Sequence, residues 1–263
     1  MRKEEKAEAT AKKYLRDVRE LWAYLKGEPP TKENLIAYRE WLMHKNQVQT
    51  VNGKLSAINH FLDYLGLKNL RLKLFRIQRK AFREEKRMLT EAEYRRLLDT
   101  ARLKNNERLY HIMLTIAGTG IRVSELSFIT VEAVKKGQAE IHLKGKDRII
   151  LLPKALRKRL RDYAKKMRIE AGYIFKTRNG NPLDRSNICH DMKKLCAAAA
   201  VASDKVFPHN FRHLFARTFF AIEKNIAHLA DILGHSSVET TRIYLAASAG
   251  EYQKILGKMR LII

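Results

Sequence analysis

The segment GTGIRVSEL, at residues 118–126, places an arginine directly after a glycine-rich turn, at the start of a predicted helix. A guanidinium is planar, stays charged, and grips phosphate oxygens through two parallel hydrogen bonds. Taken alone, Arg122 is equally well explained by an ion pair with Glu125. The segment therefore indicates a phosphate site only if partners of matching chemistry occur elsewhere in the chain.

Such partners follow. Without a metal, phosphodiester cleavage needs cations for the phosphate oxygens, a nucleophile in line, and an acid for the leaving oxygen. The groups of these types are, in chain order, Lys144 and Lys146 in KGK, His209 and Arg212 in HNFR, His235 in LGH, and Tyr244 in TTRIY. His209 and Arg212 are three residues apart, so they share one helix face.

A metal-dependent reaction is not indicated. Metal-dependent nucleases gather Asp and Glu around the ion, and no carboxylate cluster stands out beside these basic groups. Cys189 and Cys196 are the two cysteines of the chain, too few for a zinc site. We therefore expect a cationic site with no metal and no other cofactor.

The overall composition points to a polyanionic partner. The chain has 263 residues, with 53 Lys and Arg against 28 Asp and Glu, a net charge of +25 and a pI near 10.1. Nucleic acid is the usual partner of such a surplus; a soluble cationic protein, or one adapted to heat through ion pairs, is the alternative. No apolar run reaches membrane-spanning length and the N-terminus lacks a signal-peptide core, which predicts a cytoplasmic protein without membrane contact.

Hydrophobic periodicity predicts two domains. Helical spacing over 4–26, 31–45 and 50–65 favours a small all-helical domain at residues 1–75. A basic linker is expected at 76–87, and a second domain at 88–263. The linker residues expected to contact DNA are Arg76, Arg79, Lys80 and Arg83.

The second domain is expected to be mainly helical with a small antiparallel sheet. Thr90 and Glu93 form a capping-box pattern that opens its first helix, 90–103. Further helices are predicted at 106–118 and 122–128. A β-hairpin is predicted with arms Gln138–Leu143 and Arg148–Leu152 and a turn at Lys144–Asp147, and Tyr173–Phe175 is predicted as a short third strand.

Four blocks, TGIRVSEL, HLKGKDRIILLP, FPHNFRHLFA and LGHSSVETTRIYL, occur in this order with compatible gaps. Together they resemble the tyrosine recombinases, or phage integrase family, and within it the Xer-type and mobile-element integrases. Residues 10–25 and 50–66 resemble the helical core-binding domain of that family, and residues from Met88 onward resemble its catalytic domain. The resemblance implies that the two domains form a clamp around DNA.

The resemblance also implies a role for each matched residue. Arg122 and Arg212 would clamp the scissile phosphate, with Glu125 orienting Arg122. His209 would be a proton-transfer partner of the nucleophile, and His213 a structural or DNA-facing neighbour without a catalytic role.

The remaining roles concern the attack itself. Tyr244 would be the nucleophile; Tyr252 is a rival by residue type, but no motif surrounds it. Lys144, at the end of the first predicted strand, would be the general acid toward the 5′ oxygen, and Lys146 is the alternative. His235 would donate a hydrogen bond to a phosphate oxygen.

The implied reaction is site-specific recombination through a 3′-phosphotyrosyl intermediate and a Holliday junction. The implied partner is double-stranded DNA with a recombination site at the nucleoid. The protein would be a monomer in free solution and assemble into a homotetramer on this DNA. Integration or excision, inversion and chromosome-dimer resolution all use this chemistry and remain open. The competing functions are DNA relaxation by a type IB topoisomerase and DNA binding by a degenerate site. The degenerate site is disfavoured because all six expected catalytic residues are present: Arg122, Lys144, His209, Arg212, His235 and Tyr244.

The C-terminal stretch, 251–263, is rich in apolar residues. These are Tyr252, Ile255, Leu256, Met259, Leu261, Ile262 and Ile263. Such a tail either closes the core of its own domain or, as the resemblance implies, docks into a neighbouring protomer. We expect the second arrangement.

Overall fold

The computed structural model describes residues 8–77, 87–143 and 146–245. The chain divides into two compact units, Met1–Lys80 and Ala81–Ile263. The expected fold class, mainly α with a small antiparallel sheet, is confirmed. None of the helices in the described ranges combines the length and apolar character that a bilayer crossing requires.

The first unit is all-helical. Its helices are α1 (Glu8–Tyr24), α2 (Lys32–Lys45) and α3 (Val48–Tyr64), followed by a 3-10 helix, Lys68–Leu70. Thr31 caps α2 through a reciprocal pair of bonds with Asn34, which satisfies two donors that the first helical turn leaves open. The core consists of side chains that are almost completely buried, including Leu21, Leu35, Tyr38, Leu42, Val51, Leu55, Ile58 and Leu62.

Two asparagines on α3 fasten the segment that leaves the first unit. Asn59 donates to the carbonyl of Leu72 and accepts from its N–H, both at 2.8 Å. Asn52 does the same for Phe75, at 2.8 and 2.9 Å. Each amide thus satisfies both polar groups of one backbone residue, as a neighbouring β-strand would. The exposed Arg76 follows directly, and Arg79, Lys80 and Arg83 of the expected linker lie outside the described residues.

The second unit contains eight helices within its described residues. They are α4 (Glu91–Leu103), α5 (Glu107–Thr119), α6 (Val131–Lys136), α7 (Lys154–Lys166), α8 (Arg185–Lys193), α9 (Pro208–Glu223), α10 (Ile226–Leu233) and α11 (Val238–Leu245). The capping box of Thr90 and Glu93 opens α4 as predicted. The helix predicted at 122–128 is instead a 3-10 helix, Val123–Phe128.

The hairpin consists of β1 (Gln138–Leu143) and β2 (Lys146–Leu151), paired antiparallel. Its second strand begins two residues earlier than predicted, because Lys146 pairs with Leu143 and Asp147 pairs with His142. Lys144 and Gly145 lie outside the described residues.

The predicted third strand was wrong. Tyr173 makes only an isolated bridge with Thr130. The ladder cannot extend from there because Thr130 is the N-cap of α6, so its chain turns into a helix at once. Ile174 and Phe175 are instead buried in the core of the unit, whose other members include Met113 and Leu160.

Replacing Asn59 by alanine should destabilise the first unit by about 2 kcal/mol, because it leaves the buried N–H and C=O of Leu72 without partners. Urea unfolding followed by tryptophan fluorescence measures this, since Trp22 and Trp41 both lie in that unit. Asn52→Ala is the matched control: its bonds are only partly buried, so water can replace them and the loss should be smaller. Equal losses would contradict the argument.

Candidate active site

Two helices end at glycines where only glycine fits. Gly120 ends α5 at φ +64°, and Gly234 ends α10 at φ +61°. A Cβ on Gly120 would lie 2.9 Å from a methyl carbon of Leu233, and one on Gly234 would lie 2.5 Å from Cδ of Arg148. The left-handed backbone and the lack of space both exclude a side chain. The carboxyl ends of two helices can therefore lie against neighbouring side chains in one place.

Arg212 joins these two helix ends. It projects from α9, is 1% exposed, and donates from Nη1 to the carbonyl of Gly120 and from Nη2 to that of Leu233, the latter at 2.7 Å. Both carbonyls carry the partial negative charge of a helix carboxyl end. Burial, assisted by the nearby Arg122, lowers the pKa of Arg212 to about 10, so the guanidinium is still charged at neutral pH.

Glu125 holds two further arginines. Its Oε1 accepts from Nη1 of Arg122 at 3.0 Å, and its Oε2 accepts from Nη2 of Arg148 at 2.6 Å and from the backbone N–H of Arg122 at 2.9 Å. The carboxylate is buried, whereas 38% of the Arg122 side chain is exposed. Glu125 thus orients Arg122 while leaving part of its guanidinium open to solvent.

His235 follows the glycine that ends α10. Its Nε2 lies 2.9 Å from Nη2 of Arg212 and its Nδ1 lies 2.8 Å from the hydroxyl of Thr241. Because a guanidinium can only donate, Nε2 is the acceptor and the ring proton is on Nδ1. Burial, followed by the charges of Arg212 and Arg122, lowers the pKa of His235 to about 4. The imidazole is therefore neutral at neutral pH.

Tyr244, on α11, is 6% exposed and lies among these groups. Its ring centroid is 5.2 Å from that of His209, 4.2 Å from that of His213 and 5.0 Å from that of His235. The guanidinium carbon of Arg212 lies 5.7 Å from the same centroid. The tyrosine is thus surrounded by side chains of its own chain.

The structure therefore brings together six residues that the sequence singled out across more than a hundred positions. They are Arg122, Glu125, His209, Arg212, His235 and Tyr244. Lys144 is outside the described residues, so the choice between it and Lys146 stays a prediction. His213 is buried against Tyr244, which agrees with a structural role.

Sequence reasoning missed Arg148 and Thr241. Arg148 lies two residues before the buried Ile150 on the same strand, so the available signal was an arginine at an inward-facing strand position. Thr241 carries no local signal, since its contact with His235 depends on how α11 folds back on α10.

Comparison with known proteins identifies the class. The phage integrase family matches residues 87–251, more than half of the chain. The chain therefore belongs to this family, the tyrosine recombinases, which cut and rejoin DNA. The predicted family and class of enzyme are confirmed.

Individual relatives extend the similarity beyond the catalytic unit. Tyrosine recombinase XerA of Pyrococcus furiosus is 26% identical over 245 residues, which covers 90% of this chain and 83% of the relative. Tyrosine recombinase XerC of Lacticaseibacillus casei is 27% identical over 278 residues, covering 95% of this chain and 93% of the relative.

Solved structures share the fold. A crystal structure of XerA recombinase has a TM-score of 0.57 at 24% identity, covering 100% of this chain and 96% of that one. The Tn1549 transposon integrase in complex with transposon right end DNA has a TM-score of 0.73 at 17% identity, with coverage of 99% and 96%. A lambda integrase tetramer bound to a Holliday junction has a TM-score of 0.73 at 16% identity, with coverage of 91% and 72%.

The depressed pKa of His235 should make the stability of the second unit depend on pH. As the pH falls below the ordinary histidine value of about 6.5, the unfolded chain binds a proton that the folded chain refuses until about pH 4. Stability on the order of 2 kcal/mol is therefore present above pH 6.5 and lost toward pH 4.

Calorimetric unfolding of the wild type and of His235→Asn between pH 7 and pH 4 measures this contribution. The variant should lose less stability over that window than the wild type. His228→Asn, which changes an exposed histidine on α10, is the control and should follow the wild type. Parallel curves for His235→Asn and the wild type would show that His235 does not carry the effect.

Proposed function

We propose that this protein is a site-specific DNA recombinase that cuts one strand through Tyr244, leaving a 3′-phosphotyrosyl bond and a free 5′ hydroxyl. The observation that supports it most strongly is the position of the Tyr244 ring, within 5.2 Å of the rings of His209 and His235 and 5.7 Å from the guanidinium of Arg212. These are the cations and proton carriers that phenol attack on a phosphodiester needs.

Arg122 and Arg212 bind the non-bridging oxygens of the scissile phosphate. The two guanidinium groups reach the site from different directions, one held by the Glu125 carboxylate and the other by helix carbonyls. Arg122 is held in place before DNA arrives, whereas the buried Arg212 has to give up a contact of its own chain, that with His235, to bind a phosphate oxygen.

Proton transfer is divided between two groups. His209, beside the phenol, accepts the proton of Tyr244 as the hydroxyl attacks phosphorus. Lys144, with Lys146 as the alternative, protonates the departing 5′ oxygen. The attack exchanges one phosphodiester for another, so the bond energy is retained in the tyrosyl link for rejoining, and neither ATP nor a metal is required.

His235 changes its role when DNA binds. In the DNA-free protein its Nε2 accepts a hydrogen bond from Arg212. When a phosphate takes over that guanidinium, its negative charge favours the protonated imidazole, and Nε2 takes up a proton from solvent. His235 then donates to a phosphate oxygen, as the family resemblance implies.

The active assembly is a homotetramer on two duplexes that carry a specific site, with two protomers active at a time and a Holliday junction between the exchanges. The protein is a monomer in free solution and works at the nucleoid. The fold shared with an integrase tetramer on a Holliday junction supports this assembly. The helical first unit and the basic linker would form the second half of the clamp on DNA.

Covalent trapping tests the nucleophile. The protein is incubated with sheared genomic DNA of its source organism, denatured with SDS, and the protein-bound fragments are recovered and sequenced. We expect the wild type to yield adducts that map to a defined site, and Tyr244→Phe to yield none. Tyr252→Phe is the matched control and should behave like the wild type; an adduct surviving Tyr244→Phe would contradict the assignment.

The same material separates recombination from DNA relaxation. A supercoiled plasmid without the mapped site should stay supercoiled, and a plasmid with two copies should give recombinant products. Relaxation of the plasmid that lacks the site would favour the topoisomerase alternative. A wild-type protein that binds the site but forms no adduct would favour the DNA-binding alternative.

We also propose that the tail, residues 251–263, docks into a neighbouring protomer. The second unit has a groove of about 450 Å³ with largely apolar walls, lined among others by Tyr94, Phe215 and Phe219. Ile222, which also lines the groove, is 82% exposed. The apolar residues of the tail match the chemistry of this groove.

Truncation after Gly250 should abolish tetrameric synapses while leaving the melting temperature of the monomer within about 2 °C of the wild type. Native gel analysis on DNA carrying the mapped site measures the synapse, and scanning calorimetry measures the melting temperature. Ile222→Gln should weaken the synapse in the same direction. Normal synapses from the truncated protein, especially with a lowered melting temperature, would indicate that the tail packs on its own domain.

A further inference from the structure

Arg148 connects three parts of the site without belonging to the predicted set. From β2 its guanidinium donates to Oε2 of Glu125 at 2.6 Å, to the carbonyl of Leu233, and to that of Ile232 at 3.4 Å. Glu125 in turn binds Arg122, and Leu233 is two residues before His235. One side chain thus contacts the support of a phosphate-binding arginine and the helix end that carries a histidine.

The side chain of Arg148 fits closely into its surroundings. Its side chain is 11% exposed, and its Cδ occupies the space that a Cβ on Gly234 would need, at 2.5 Å. Gly234 therefore has to be glycine partly because Arg148 passes beneath it.

This arrangement is electrostatically costly. Burial lowers the pKa of Arg148, the Glu125 carboxylate partly offsets that effect, and the charge of Arg122 adds to it. Its Nε atom is buried without a hydrogen-bond partner. A methionine of similar length would fill the same space without these costs, so packing alone does not account for an arginine here.

We propose that Arg148 is a positioning residue of the cleavage reaction, which fixes the orientation of Arg122 through Glu125 and the position of His235 through the end of α10. This inference rests on the proposed recombinase function. Arg148 itself touches no reacting atom: it is separated from the phosphate clamp by the carboxylate that it binds. Its loss should therefore slow the chemical step more than it weakens DNA binding.

The chain offers a matched control in Arg157. This arginine also donates to carbonyls at a helix end, those of Val134 at 3.1 Å and Lys135 at 2.7 Å. It also lies under a glycine with positive φ, Gly137, whose added Cβ would be 3.0 Å from its guanidinium carbon. Its contacts with a helix end and a glycine are of the same kind as those of Arg148, but Arg148 also binds the Glu125 carboxylate of the site.

The test measures single-turnover cleavage of a suicide duplex carrying the site mapped by covalent trapping. We expect Arg148→Met to slow cleavage on the order of 10²-fold, since misplacement of positioned groups by about 1 Å has effects of this size. Arg157→Met should cleave within about threefold of the wild type, and scanning calorimetry of both variants separates positioning from general destabilisation.

A second substrate distinguishes a positioning role of Arg148 from a merely structural one, because only a positioning role predicts a smaller cleavage defect on it. In a methylphosphonate duplex one non-bridging oxygen is replaced by methyl, so the phosphate has no charge for Arg122 to neutralise. The defect of Arg148→Met should shrink to less than about tenfold on this substrate. In addition, Glu125→Gln and Arg148→Met should combine less than multiplicatively, because they interrupt one connection.

The outcomes are distinguishable. No adduct from the wild type overturns both the recombinase proposal and this inference. A wild-type adduct with unimpaired cleavage by Arg148→Met, an equal defect on both substrates, or multiplicative combination with Glu125→Gln overturns this inference alone. If Arg148→Met does not fold, Arg148→Lys replaces it: its single ammonium cannot serve both Glu125 and Leu233, so the same direction is expected.

Discussion

The Glu125 carboxylate is the contact on which the rest of the site depends. It lies between Arg122 and Arg148, 3.0 and 2.6 Å from their nearest nitrogens, and Arg212 adds a third cation close by. Buried like charges repel, and removing one partner of a buried pair costs about 3 to 5 kcal/mol because the other is left unpaired. Glu125 makes this gathering of guanidinium groups compatible with folding, yet leaves a net positive charge for phosphate.

Helix carboxyl ends supply the remaining compensation. The carbonyls of Gly120 and Leu233 accept from Arg212, and those of Leu233 and Gly234 accept from Arg148 and Arg122. Carbonyls at the last helical turn have no partner within the helix and carry partial negative charge. Arginines therefore satisfy the helix ends while the helix ends hold the arginines, so the site is ordered before substrate arrives.

Local patterns predicted what local forces decide. The capping box at Thr90 and the hydrophobic period located the ends of α2, α3, α4 and α5 within about two residues. The sequence motifs identified Arg122, His209, Arg212, His235 and Tyr244, which the structure brings together. The prediction of a strand at Tyr173–Phe175 was wrong because the path of the partner chain at Thr130 decides whether a ladder extends, and the β-propensity of the segment itself does not. Arg148 was missed for a related reason: its partners lie 23 and 85 residues away along the chain, and no periodicity encodes contacts of that range.

The neutral His235 shows how binding and chemistry are coupled in such a site. The pKa of His235 is lowered to about 4 by burial and by nearby arginines, whose charge Glu125 offsets only in part. A phosphate would add the missing negative charge and compete for the Arg212 nitrogen that His235 now accepts from. In the proposed reaction both changes would favour proton uptake, so that binding of a correctly placed phosphate and protonation of His235 would be thermodynamically linked. A phosphate that did not reach Arg212 would leave the imidazole neutral, which restricts full activation to DNA seated deep in the site.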